Sequence, residues 1–369
     1  MAKGQRRASQ GVNIQAVAER AGVSAMTVSN VVNGRSKVRE ATRLAVLSAV
    51  EELGYKPNIA AQALAGAASV RLGLLCGTAE NAFLSSILVG AVEASSQLGA
   101  QLILRRTDAD NPTDLLAQLK ALVRSGANAI LAAPPYCEMI SRESLAGLVE
   151  VPVVAMSSGD ALPNLTCVRI DDFAAARDMT RRLVQLGHRR IGFIRAAETH
   201  IISHTRQHGY RAALEEAGIT LDPALIAYGD LTFESGLRAA EHLLALDPRP
   251  TAIFSSNDDM AAAVVSLGHR MGLRIPQDLS VAGFDDGPIA RKIWPTLTTV
   301  NQPIARIAER AATLAIQRMR TTGSGQPVTN APPLTEYVPY ALVERESTAP
   351  PSEGPIEKAG KQTSRTPRA

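Results

Sequence analysis

Aromatic side chains are scarce in this sequence: one Trp, six Tyr and six Phe make up 4% of 369 residues, although 46% of the chain is hydrophobic. A core of that size must be built from aliphatics, and the length suits two or three compact units. No run of about 18 apolar residues is present, the length a membrane-spanning helix needs. The N-terminus also lacks the apolar stretch of a secretion signal. The expectation is a soluble, cytoplasmic protein with no membrane partner. Cysteine is scarcer still. Cys76, Cys137 and Cys167 are odd in number, far apart and without metal-ligand spacing, so they read as buried reduced thiols. The six His are scattered, and no Gly-rich phosphate loop, nucleophile elbow or His-bearing metal motif occurs. No cofactor and no metal is expected.

What is present begins with "VAERAGVSAMTVSNVVNGR", residues 17–35. Ile14, Val17, Ala18 and Ala21 recur at helical spacing behind Asn13, a suitable N-cap, and Gly22 allows a sharp turn. Ser24 can cap a second helix with Val28, Val31 and Val32 inward, Ala25, Met26, Ser29 and Asn30 outward, and Asn33-Gly34 at its end. A third helix from about Arg39 is expected to bury Leu44, Leu47, Val50 and Leu53 and to stop at Gly54. Three short helices with a tight turn between the first two describe a helix-turn-helix. Residues 1–57 hold nine Lys or Arg against four acids, a local balance of +5 in a chain of net charge +4. The positive charge thus sits on this small unit, the electrostatic footprint of a nucleic-acid contact.

Beyond Pro57 the pattern changes. "VRLGLLCG" (70–77), "AQLILRRT" (100–107), "ANAILAAP" (127–134) and "VPVVAMSS" (151–158) read as buried strands alternating with helices. "RRIGFIRA" (189–196), "ALIAYGDL" (224–231), "TAIFSSND" (251–258) and "LSVAGFDD" (279–286) repeat the alternation. Such order builds parallel, doubly wound sheets. Two similar α/β lobes in tandem enclose a cleft at the carboxyl ends of their strands, where ligands bind. From about Glu346 the chain is rich in Pro, Ser, Thr, Lys and Gly and reads as an unstructured tail.

"VAERAGVSAMTVSNVVNG" and the following "ATRLAVLSAVEELGYKPNIAAQALA" resemble the DNA-binding head and hinge of the lactose-repressor (LacI/GalR) family of bacterial transcription regulators. The likeness continues through "LVQLGHRRIGFI", "RQHGYRAALEEAGI", "SSNDDMAAAVVSLGHRMGLRIPQDLSVAGFDD" and "PTLTTVNQP", over roughly residues 12–347. It implies a head over 1–56, a hinge helix over 57–68 and a sensor over 69–345 with a tail over 346–369. The sensor would resemble a periplasmic binding protein: two lobes joined by three crossovers, working as a homodimer. On that match the N-terminal lobe takes residues 69 to about 168 and about 301–328, and the C-terminal lobe the rest.

The resemblance also assigns residues. Ala25, Met26 and Asn30 match base-contacting positions of the second helix. Asn30 departs from the Arg common there; Asn pairs with adenine where Arg prefers guanine, and it could instead reach only a phosphate. Thr27, Ser29, Asn33 and Arg35 fit phosphate contacts or caps. In "KPNIAAQALAG" Asn58 and Ala61 lie on a hinge too short to be a stable helix alone. Leu64 matches the wedge that opens a base step in the minor groove. For the ligand, the matching positions are Phe83, Asp171, Arg206, Leu231, Asn257, Asp285 and Gln302. Leu231 stands where several members place a stacking aromatic, so that platform is missing or comes from Phe233 or Trp294. His200 and His204 fit ligand contacts or surface residues equally.

The reading is a ligand-responsive, sequence-specific repressor of a palindromic operator, with a sugar-like polar effector. Two other classes compete with it. A solute-binding protein is opposed by the basic head. An α/β enzyme could use Asp171-Asp172, Asp258-Asp259 and Asp285-Asp286 at strand ends, but a polar binding cleft needs the same carboxylates.

Overall fold

The computed structural model describes residues 13–32, 38–55, 70–78, 81–197, 200–322 (backbone only for 321–322) and 333–352. Two compact units divide the chain, residues 1–69 and 70–369. In the first, α1 (Ile14–Ala21) starts where the Asn13 side chain accepts from Ala16 N, and ends at Gly22 in the left-handed region, φ 65°. That conformation suits glycine, which has no Cβ to clash. α2 (Ala25–Val32) is capped by Ser24 Oγ, which accepts from Thr27 N at 3.2 Å. α3 (Glu40–Leu53) completes the bundle around Val17, Ala18, Val28, Val46 and Ala49.

One expectation is corrected here. Leu44 and Leu47 are 58% and 42% exposed, whereas Val46 and Ala49 are buried with Val50 and Leu53 against them. The Leu44–Leu47 stripe runs into the charged Glu51 one turn on, while the Val46 stripe stays apolar to Leu53. Ala25 also packs partly against this core rather than lying wholly outside.

Among its described residues the second unit holds two six-stranded sheets. The first lobe contains β1 (Arg71–Cys76), α4 (Ala82–Gln97), β2 (Gln101–Arg106), α5 (Pro112–Arg124), β3 (Ala129–Ala132) and α6 (Tyr136–Arg142). It continues with β4 (Val153–Met156) and β5 (Thr166–Arg169). The second lobe holds α7 (Asp172–Gln185), β6 (Ile191–Arg195), α8 (Ile201–Glu216), β7 (Ile226–Tyr228) and α9 (Phe233–Leu244). β8 (Ala252–Ser255), α10 (Asp258–Arg270), β9 (Ser280–Asp285) and β10 (Thr298–Asn301) complete its interior. α11 (Ile304–Thr322) and β11 (Thr335–Tyr337) return to the first lobe, and β12 (Ala341–Val343) to the second.

Strand order is β11-β5-β4-β3-β1-β2 in one sheet and β12-β10-β9-β8-β6-β7 in the other. Among the described strands only β12 runs antiparallel, pairing Val300 with Leu342. β3, β4 and β5 are buried along their whole length, as parallel strands covered on both faces must be. The chain therefore passes between lobes after β5, after β10 and after β11. β11 falls in the region expected to belong to the C-terminal lobe; it pairs instead with β5, Thr335 beside Cys167. Three residues carry too little periodicity to reveal such a strand.

The tail expectation is also corrected at its start. Ser347 is fully buried, its hydroxyl donating to Val281 O at 2.6 Å and accepting from Thr298 N at 2.8 Å. Ala349 O accepts from His188 Nε2 at 2.9 Å. The segment is thus pinned by the Ser347 hydroxyl and the Ala349 carbonyl, and residues 353–369 lie outside the described residues. The three cysteines are free and buried, and burial pushes each thiol above its ordinary pKa. No helix among the described residues is long and apolar enough to cross a membrane.

Candidate DNA-contacting helix and ligand cleft

On α2, Met26 is exposed while Thr27, Ser29 and Asn30 are half-buried at its surface. Thr27 is partly engaged in the cap, its hydroxyl 2.9 Å from that of Ser24. Asn33, Arg35, Asn58, Ala61 and Leu64 lie outside the described residues.

In the second unit a polar cluster is organised by Arg206, one and a half turns into α8 and buried. α8 can approach α7 closely because residue 209 is glycine; a Cβ there would lie 2.3 Å from Phe173 O. Arg206 Nε donates to Asp172 Oδ1 at 2.8 Å, and Nη2 lies 2.8 Å from the same oxygen as an ion pair. Nη1 donates to Ser256 O at 2.5 Å and Nη2 to Gln302 Oε1 at 3.3 Å. The guanidinium stacks 3.5 Å over the Phe284 ring, and Asp285 Oδ1 stands 3.9 Å from Nη1. The predicted Arg206, Asp285 and Gln302 thus lie in one cluster, on α8, at the end of β9 and just after β10.

Asp285 and Asp286 turn the chain after β9 with φ 107° and 55°, a conformation that costs a non-glycine residue about 1–3 kcal/mol. Asp286 holds the turn by accepting from Arg345 at 2.5 Å, Arg291 at 2.8 Å and Asn301 at 3.0 Å. The Asp285 carboxyl is pushed up to about 7, first by removal from water and then by the charge of Asp172, with Arg206 opposing. Asp258 is raised well above the carboxylate range for the same reason, burial first and Asp285 second. It is tied down by Thr299 Oγ1 at 2.6 Å and Gly287 N at 2.7 Å.

Asn257 caps α10 through Met260 N, and its amide donates to Leu231 O at 2.8 Å. Leu231 sits at φ 71° and packs into the second-lobe core. Asp171 is an exposed cap for α7, accepting from Ala174 N; the inward carboxylate is its neighbour Asp172. Phe83, in the first turn of α4, packs against the large core cluster. Trp294 does not replace the missing aromatic at the cleft: it is 75% exposed and lies beside His269, ring centres 5.6 Å apart. His204 is exposed; His200 is half-buried, and burial followed by the charge of Arg206 lowers its pKa.

Sequence reasoning missed Arg169 and Glu138, both buried. Arg169 had a signal, a cation ending the apolar run "LTCVR". Glu138 followed a Pro-Pro turn and had none.

Known proteins resemble this chain in both of its units. Residues 13–58 match the family of bacterial regulatory proteins, lacI family, and residues 180–348 match a periplasmic binding protein-like domain. The chain is 32% identical to catabolite control protein A of Priestia megaterium over 88% of its own length and 98% of that protein. It is 33% identical to the HTH-type transcriptional regulator GalR of Escherichia coli (strain K12), covering 92% of this chain and 96% of that one. A solved lac repressor dimer bound to operator and the anti-inducer ONPF superposes with a TM-score of 0.68 at 27% identity, covering 92% of this chain and all of that one. A transcriptional regulator CelR–cellobiose complex gives 0.65 at 31% identity, over 91% and 99%. These relatives are regulators, which removes the enzyme reading of the paired acids. The chain belongs to the lacI family of bacterial regulatory proteins, as a DNA-binding transcriptional regulator with a periplasmic-binding-protein-like ligand domain.

Proposed function

We propose that the protein is a homodimeric repressor that leaves a palindromic operator when a small, polar, sugar-like effector enters the cleft. The observation that carries the effector reading is Asp285. Its carboxylate accepts no side-chain hydrogen bond among the described residues, and Arg206 Nη1 stays 3.9 Å away, so acceptor lone pairs face the cleft. Hydroxyl donors on a ligand would fill them, with Asn257 and Gln302 beside. The cellobiose in the CelR complex is a ligand of that kind.

Two further features support the rest. On α4 and the edge strand β2, Val89, Val92 and Leu104 are exposed together, an apolar face suited to a second copy. The lac repressor relative is a dimer on its operator, and two heads about a two-fold axis require an inverted repeat. Ala25, Met26 and Asn30 then read bases. Thr27, Ser29, Asn33 and Arg35 hold phosphate, while Asn58, Ala61 and Leu64 form the hinge contact with the minor groove. Ligand closure acts on the spacing of the hinges, with a coupling of about 1–3 kcal/mol. The test is selection of bound sites from random DNA, followed by a sugar screen on the selected complex. An inverted repeat released by a sugar is expected; single half-sites, or a complex indifferent to every polar ligand, would overturn the reading.

A further inference from the structure

Glu138, on α6 of the first lobe, is 3% exposed, and its two oxygens serve different lobes. Oε1 accepts from Gly159 N at 3.1 Å, in the loop after β4 of the same lobe. Oε2 accepts from Ile201 N at 3.1 Å, the first N–H of α8 in the second lobe. The two backbones meet so closely there that a Cβ on residue 159 would lie 2.2 Å from Ile202 N.

The contact does not end at Gly159. Its carbonyl accepts from Arg169 Nη2 at 2.6 Å, and that nitrogen lies 3.6 Å from Asp172 Oδ2. Asp172 in turn holds Arg206. A polar chain therefore leaves α8 at Ile201, passes through the first lobe at Glu138, Gly159 and Arg169, and returns to α8 at Arg206.

We propose that Glu138 is a positioning residue that ties α8 to the first lobe and so fixes the spacing of the lobes and the place of Arg206. A carboxylate withdrawn from water is stable only while charge-assisted donors face it, and a helix N-terminus is a favourable one. Opening the lobes separates Ile201 N–H from Glu138 and leaves Gly159 alone on the carboxylate. The inference stands on lobe geometry, not on the effector or operator reading, and its test contains neither ligand nor DNA.

The test uses the full chain with spin labels at Glu143→Cys in the first lobe and Glu241→Cys on α9, both exposed; the native cysteines are buried. Pulsed electron resonance reads the distance between lobes. The unsubstituted background should give one narrow distribution. Glu138→Ala should raise the ratio of long to short distances by about tenfold, the scale for losing one charge-assisted hydrogen bond. Glu138→Gln keeps one acceptor and the same volume, and should fall between. If the alanine variant fails to fold, the glutamine variant decides. Unchanged distances with a lowered melting temperature would make Glu138 a packing residue only and overturn the proposal, as would a broad, open distribution with Glu138 intact.

Discussion

Asp172, at the start of α7, is buried with an arginine on either side, Arg206 at 2.8 Å and Arg169 at 3.6 Å. Asp285, at the end of β9, keeps a quarter of its side chain in solvent and approaches Arg206 no nearer than 3.9 Å. The same guanidinium thus faces one carboxylate it holds and one it only influences. Burial raises both carboxyl groups above the ordinary range, but the first is committed to joining two helices and a crossover. The second accepts no side-chain hydrogen bond among the described residues. Arg206 is accordingly part of the frame as much as of the site, so Arg206→Ala should loosen the lobes as well as the effector response.

The largest effect should come from breaking the committed pair. Asp172→Ala leaves two buried guanidinium groups without their shared acceptor, and removing one member of a buried ion pair costs about 3–5 kcal/mol. Urea unfolding of the full chain measures this. A loss below about 1 kcal/mol would show that Arg206 re-pairs with Asp285, and that the two carboxylates are interchangeable.

Asp285 should behave in the opposite sense. The folded chain holds its proton up to about pH 7, whereas an unfolded Asp releases it near pH 4. The folded state therefore binds more protons between those values. Stability linked to this group is complete below about pH 4, falls as pH rises to about 7, and stays low above. Asp285→Asn removes the titration, so the variant should gain on the parent over that window, by about 2–4 kcal/mol at pH 8. Parallel pH–stability curves for the two proteins would refute the assignment. A sugar that donates to the ionised carboxylate should also bind the parent more tightly as pH rises through about 7.

Much of this contrast was open to reading in the sequence, and some was not. The alternation of strands and helices marked the two lobes, and Arg206, Asp285 and Gln302 were assigned through the family resemblance carried by the strings around them. "DD" at 171–172 could not say which carboxylate turns inward, because that is set by the cap. Asp171 takes an extended φ of −85° and faces water, leaving Asp172 as the first buried residue of α7. β11 and β12 are three residues each, below any period. Trp294 was placed near the cleft by neighbouring motifs, but it follows a 3₁₀ turn, Pro288–Arg291, on the outer surface. Glu138 owes its role to a contact 63 residues away in sequence, and a single chain read locally has no signal for such a pairing.

A smaller effect separates positioning from reading in the head. Ser24→Ala removes the α2 cap and should cost about 1 kcal/mol of stability while weakening all operators alike. Asn30→Ala should leave stability within about 0.5 kcal/mol and relax preference at one symmetric base position. Binding to a panel of single-base operator variants distinguishes them; an even loss for Asn30→Ala would reassign it to phosphate.

The smallest effect expected concerns α3, where two apolar stripes competed for the core. Val46 is fully buried and Leu44 is 58% exposed, so the larger side chain is the less important one. Leu44→Gln should change stability by less than about 0.5 kcal/mol, as exposed substitutions do. Val46→Ala removes two buried methyl groups and should cost about 1–3 kcal/mol. Because the unit is small, the comparison is sensitive: its buried apolar core comprises Val17, Ala18, Val28, Val46 and Ala49, and one of those valines is a large share of it. Thermal unfolding of the two variants, followed by the helical signal of the head, reads the difference. If Leu44→Gln proves the costlier, the exposed stripe is covered by another surface in the working protein, and the orientation of α3 must be judged with that surface present.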